Sequence, residues 1–315
     1  MALITCKIFT SLPPLISTLK TTPLTSTTTC RCISASPAAP MSNSGGGGGG
    51  FMEFPYASPP VRDLMADLLS TVENRLGSLL LPCTLPADVQ RYRNESGTAD
   101  AALLVRSGIA SSPIDFMLGS WLYCQLPTGA TLNITSLSCY LNDSTDAPHF
   151  LFELIQTGGT SIIIVLDLPP RKDLVLHPDY LQKFYEDTGL DITRQLLDKV
   201  AEIRPFVPSS LFTRSAVSPT AIVVRIESEV GGSGRVEEIV GDDVRAVAIE
   251  VLRIWLDCLN GKQEVEGAER NDLRRRDRIF KSKIIEIDLV SNLPRLFGQE
   301  TADRVLAALR GVFGI

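Results

Sequence analysis

Between residues 114 and 166 the chain repeats one pattern four times: a short β-forming run closed by turn-forming residues. The runs are Ile114 to Leu126, Thr131 to Leu141, Phe150 to Ile155 and Ser161 to Leu166. Their separators, Pro127-Thr128-Gly129, Asn142 to Pro148 and Gly158-Gly159, have the composition and length of hairpin connections, so the spacing predicts four sequential strands in one antiparallel meander. Another apolar strand, Ala221 to Ile226, follows Pro219. Before the meander, Leu64, Met65, Leu68, Leu69, Val72 and Leu76 recur at three- and four-residue spacing on one face of a helix that Pro59 and Pro60 suit as a start. The polar stretch from 92 to 112 reads as irregular chain. Later helices are expected over Asp179 to about Glu202, Val236 to Cys258, Glu266 to Lys281 and Thr301 to Phe313. In the second, Val244, Val247, Ala248, Val251, Leu252 and Trp255 form a stripe. A sheet with amphipathic helices on either side of it in sequence is an α+β protein. The expected architecture is an α/β/α sandwich in which helices cover both faces of a central antiparallel sheet, with residues 51–315 as a single domain.

Residues 1–50 have a different composition. Ser and Thr abound, Lys7, Lys20 and Arg31 are the only charges, and no acidic residue precedes Glu53. That pattern predicts an organelle transit peptide, and the scarcity of arginine with the Thr-rich tract Thr25 to Thr29 favours chloroplast over mitochondrion. Gly45 to Gly50 would follow as a tether unable to pack. Removing this segment takes the formal charge from −6 to −9, an acidic balance that argues against nucleic acid as a partner. No apolar run approaches the roughly 18 residues of a membrane-spanning helix.

The function must come from particular side chains. Beyond the leader, Cys83, Cys124, Cys139 and Cys258 form no CxxC pair, and His149 and His177 have no metal-like spacing to them, so no metal site is expected. The glycines at 45–50 and 231–234 lack the strand-loop-helix context of a phosphate loop. No nucleophile-elbow motif accompanies the serines. The basic cluster Arg274-Arg275-Arg276-Asp277-Arg278 reads as a solvated helix face or as a docking patch for an acidic protein. Glu153 is the anomaly. It interrupts the run His149-Phe150-Leu151-Phe152-Glu153-Leu154-Ile155, where a carboxyl group either reaches solvent at a strand edge or, if buried, finds hydrogen bonds or keeps its proton near neutral pH as a general acid must.

Four segments carry a resemblance. They are Phe51-Met52-Glu53-Phe54-Pro55-Tyr56, Ile114-Asp115-Phe116-Met117-Leu118-Gly119-Ser120-Trp121, Asp167 through Tyr185, and Leu211-Phe212-Thr213-Arg214-Ser215-Ala216-Val217-Ser218-Pro219-Thr220. In this order they closely resemble the red chlorophyll catabolite reductases of plants, from about Phe51 to the C-terminus. The resemblance implies a fold similar to the ferredoxin-dependent bilin reductases. It also implies reduction of red chlorophyll catabolite, an open-chain tetrapyrrole, to primary fluorescent catabolite in the chloroplast stroma. Reduced ferredoxin would be the external electron donor, with no metal or flavin of the protein's own. A homodimer, and other enzymes of chlorophyll breakdown as partners, are implied as well. By the same resemblance Glu153 and Asp288 would be acidic residues delivering protons, and Val217 would govern which face of the substrate is protonated. Arg214, in the same segment, is a candidate to pair with a substrate propionate, against the alternative of a surface ion pair. Two other functions compete: a non-catalytic tetrapyrrole carrier or scaffold, and a bilin reductase acting on biliverdin.

Overall fold

The computed structural model describes residues 52–260 and 265–315, so the expected leader and glycine tether lie outside the described residues. Eight strands build one antiparallel sheet: β1 (Arg91–Arg93), β2 (Ala99–Ser107), β3 (Ile114–Gln125), β4 (Thr131–Leu141), β5 (Phe150–Thr157), β6 (Ser161–Asp167), β7 (Ile203–Pro205) and β8 (Ile222–Glu227). Their order is β1-β2-β3-β4-β5-β6-β8-β7, so the meander supplies the centre and β8 returns to pair with β6.

Strand alternation divides the apolar residues between two cores. On one face, Phe150, Phe152, Leu154, Ile162 and Ile164 pack under helix α1 (Pro59–Leu76), whose spaced apolar residues are all buried, and under the later helices that carry Val247, Leu252 and Trp255. The Trp255 indole N–H donates to the Pro148 carbonyl at 2.9 Å, fastening that layer to the chain entering β5. On the other face, Leu118, Ile134, Leu151, Ile155 and Val165 pack against Ile284, Ile285, Leu289, Leu293, Val305 and Leu309 of the C-terminal helices. The expected sandwich is therefore the fold.

Two stretches differ from the sequence expectation. Residues 92–112 are not irregular. They hold part of β1 and all of β2, where Ala99, Ala101, Leu103 and Val105 alternate inward at period two, and Gly97, at φ +69°, turns the hairpin between the strands. The small alanines gave a weak strand signal beside the polar turn. The single helix expected from Asp179 to about Glu202 is broken instead. Helix α2 (Ala87–Gln90) precedes the sheet, α3 (Pro178–Leu181) runs into a π turn at Gln182–Glu186, and α4 (Leu190–Gln195) starts only after Gly189, whose φ of +74° ends the preceding turn.

The remaining helices are α5 (Leu211–Ala216), α6 (Gly232–Ile239), α7 (Arg245–Cys258), α8 (Gly267–Ile284), α9 (Val290–Phe297) and α10 (Gln299–Phe313). Helix α8 passes into α9 through a π turn at Ile285–Leu289. Such turns change which side chains face inward and recur at functional sites.

Candidate active site

Glu153 lies mid-strand on β5, paired with Ser136 of β4 on one side and Val165 of β6 on the other. Its neighbours at the same pleat phase, Leu151 and Ile155, belong to the core beneath α8 to α10. The carboxyl group therefore enters that layer, and Glu153 is 0% exposed, so the solvent-edge alternative fails. Beside it along the sheet runs a row of hydroxyl groups. Ser120 and Ser136 are buried with their oxygens 2.6 Å apart, and Ser138 follows on the same face of β4.

Asp288 reaches the same layer from the helical side. Ile284, Ile285, Asp288 and Leu289 are buried together while Glu286 is exposed, so Asp288 occupies an apolar position of an amphipathic stripe. The residue is 2% exposed, and neither carboxyl oxygen has a hydrogen-bond partner among the described residues. Burial, reinforced by the charge of Glu153, pushes the Asp288 carboxyl well above the usual range, so it holds a proton where an ordinary aspartate does not. Tyr140 of β4 completes the cluster. Burial and then the charges of Asp288 and Glu153 push its phenol up, which keeps it neutral and able to donate a hydrogen bond.

A cavity of about 970 Å³ opens next to this layer, between the segment from Arg171 to Lys183, helix α5 and helix α8. Phe212, Ala216, Ile279 and Phe280 give it apolar wall, and Lys172, Arg275 and Arg276 stand among its charged groups. Its size is that of a cofactor or drug-sized ligand site. Glu153 and Asp288 are not among its lining residues. The boundary is Phe280, whose ring packs 6.0 Å from that of His149, which in turn lies 5.2 Å from Tyr140. Phe280, His149 and Tyr140 thus form a chain of ring contacts leading from the cavity lining towards the acid pair.

The His149 ring in this chain is fixed beside a buried ion pair. His149 accepts the Leu141 N–H at Nδ1 (3.1 Å), so its proton resides on Nε2, 3.1 Å from Asp277 Oδ1. The ring is then neutral, in agreement with burial holding its pKa below the ordinary value. Arg171 supplies the positive charge. Its guanidinium grips Asp277 through Nε to Oδ1 at 3.1 Å and Nη2 to Oδ2 at 2.6 Å. Burial would raise the Asp277 carboxyl, but the bonds from His149 and Arg171 more than reverse this and hold it below the usual range.

The other two sequence candidates fall at the cavity's edge. Val217 caps α5 and is half-buried, adjacent to the lining residue Ala216. Arg214 is exposed on α5 and does not line the cavity. Within the basic cluster, Arg274 pairs with Asp143 at 2.6 Å and Arg276 donates to the Pro170 carbonyl at 2.9 Å.

Sequence reasoning missed His149, Asp277 and Tyr140 as members of the site, and Asp167 as a buried acid beside it. Signals existed for two of them. Leu273, Asp277, Lys281 and Ile284 share the inward stripe of α8, which sets Asp277 apart from its arginine neighbours. Asp167 continues the period-two series Ile163, Val165 and is 2% exposed. Burial pushes its carboxyl up to about 6 despite hydrogen bonds from Ser218.

The red chlorophyll catabolite reductase (RCC reductase) family description matches residues 60–311 of the chain. Over 269 residues, 84% of either protein, the chain is 52% identical to the red chlorophyll catabolite reductase, chloroplastic, of Arabidopsis thaliana. It is 48% identical over 257 residues to red chlorophyll catabolite reductase 1, chloroplastic, of Oryza sativa subsp. japonica, covering 81% of this chain and 78% of that one. Among solved structures, phytochromobilin synthase from tomato in complex with biliverdin superposes with a TM-score of 0.60 at 17% identity, covering 80% of this chain and 82% of that one. At that identity the likeness speaks to the fold.

Proposed function

The chain belongs to the red chlorophyll catabolite reductase family, and we propose that it reduces red chlorophyll catabolite to primary fluorescent catabolite with electrons from reduced ferredoxin. The carrying observation is the pair of buried carboxyl groups, Glu153 and Asp288, facing one apolar layer from opposite sides. Reduction of one double bond takes up two electrons and two protons. In this reading ferredoxin delivers the electrons singly to the conjugated ligand, and the protein's task is to hold the ligand and release protons as charge accumulates. Asp288 is suited to that because desolvation and the neighbouring Glu153 raise its pKa well above that of an ordinary aspartate. A carrier that only sequestered pigment would gain nothing from two costly carboxyl groups in an apolar layer.

The reading has the tetrapyrrole enter through the neighbouring cavity, whose apolar walls suit the pyrrole rings and whose basic groups suit propionate carboxylates, and extend past Phe280 until a reacting atom comes within hydrogen-bond distance of Glu153 or Asp288. Arg214 would contribute at the rim if its side chain swings inward. Plastid residence, with residues 1–50 as transit peptide, agrees with the names of the Arabidopsis and rice relatives. A single catalytic domain and a homodimer belong to the same reading.

Anaerobic incubation of the protein with reduced ferredoxin and red catabolite tests it. Blue fluorescence from the product is expected, with no comparable turnover when biliverdin replaces the red catabolite. Absence of fluorescence with the red catabolite would refute the reading, and turnover of biliverdin alone would move the protein to the bilin reductases.

A further inference from the structure

Asp167 ends β6 in register with Leu151, two residues beyond Val165, the partner of Glu153. Sheet geometry therefore sets Asp167 on the same face as Glu153 and one diagonal step away, about 7–8 Å between backbones. Its carboxyl group is already engaged. Oδ1 accepts the Ser218 hydroxyl at 2.5 Å and Oδ2 accepts the Ser218 backbone N–H at 3.1 Å. Ser218 is itself buried, and its hydroxyl lies 3.2 Å from that of Thr220. The residue before it is Val217, whose own N–H closes the last turn of α5 on the Thr213 carbonyl at 3.2 Å. Val217 is thus held on one side by α5 and on the other by a buried carboxylate reaching out from the sheet.

We propose that Asp167 is a positioning residue that fixes the Val217–Ser218 backbone against the sheet and so sets the depth of Val217 beside the ligand. This rests on the functional reading above and extends it to a residue that need not touch the substrate. An additional proton donor is the less fitting role, because both oxygens of Asp167 are taken up by Ser218. A role limited to stability is the other alternative, since the same bonds also join the end of β6 to the chain entering β8.

The test compares the epimers of the fluorescent product, separated by chromatography, from wild-type protein and from Asp167→Asn, Ser218→Ala and Ser218→Thr. The epimer ratio reports where the ligand sits and does not follow from stability. The ratio is expected to shift by about 2- to 10-fold in Asp167→Asn and Ser218→Ala, the range open to the net contribution of one hydrogen bond. Ser218→Thr, which keeps the hydroxyl, should restore it. If Asp167→Asn does not fold, the two Ser218 variants decide the matter. An unchanged ratio in Ser218→Ala, with turnover retained, overturns the inference and leaves the functional reading intact. Failure of the wild-type protein to form either epimer overturns both.

Discussion

Glu153 on β5 and Asp288 on the π turn between α8 and α9 interact electrostatically across the interface of sheet and helices, both removed from water. Two carboxyl groups placed this way titrate as a pair, and the second cannot ionise cheaply while the first is charged. The pair sits within an apolar layer that includes Leu151, Ile155, Ile285 and Leu289.

A measurable cost follows for stability. Asp288 has a folded-state pKa above its unfolded value near 4, so the native state binds more protons there and loses stability as pH rises from about 4 towards the folded pKa. Asp288→Asn removes that loss. Its melting temperature should decline less than that of the wild type between pH 5 and pH 8; parallel curves would show that Asp288 is not a retained proton.

Asp277 obeys the opposite sign. Its folded pKa is depressed, so its contribution is present above the unfolded value near 4 and disappears as pH falls below it. Asp277→Ala at neutral pH leaves the buried Arg171 guanidinium without its counter-charge, which should cost about 3–5 kcal/mol in urea denaturation. The double change Arg171→Met with Asp277→Leu should recover most of this. A loss under about 1 kcal/mol for Asp277→Ala, the level of an exposed pair, would contradict the account.

Val217 offers a test of ligand placement. It is half-buried next to the cavity wall at Ala216, and a phenylalanine there would project an aromatic ring towards the space assigned to the tetrapyrrole. Val217→Phe should change the epimer of the product while the protein still folds. The wild-type epimer from this variant would remove Val217 from the site.

The sandwich was legible because its signals are local: turn residues at hairpin spacing, and apolar stripes such as Leu64 to Leu76 at helical spacing. Glu153 was legible for a related reason, since a charge inside an apolar strand must be either exposed or used. The sequence left that choice open, because burial depends on what packs above β5, and that is decided by α8 to α10, more than 100 residues later in the chain. The pairing of His149 with Asp277 was hidden for the same reason: the bond between them spans 128 residues, and nothing near either one announces the other. Asp167 stood in the sequence only as the first residue of the segment running to Tyr185, although its strand phase already placed it on the face of Glu153.

The central claim is that buried carboxyl groups supply the protons of the reduction. It is tested most directly by initial rates of red catabolite reduction, under saturating reduced ferredoxin, for Glu153→Gln and Asp288→Asn beside the wild type, with circular dichroism confirming the fold. The account predicts that each variant stays folded and that at least one loses about 10²- to 10⁴-fold in rate, the usual contribution of a general acid. Wild-type rates in both variants would contradict it.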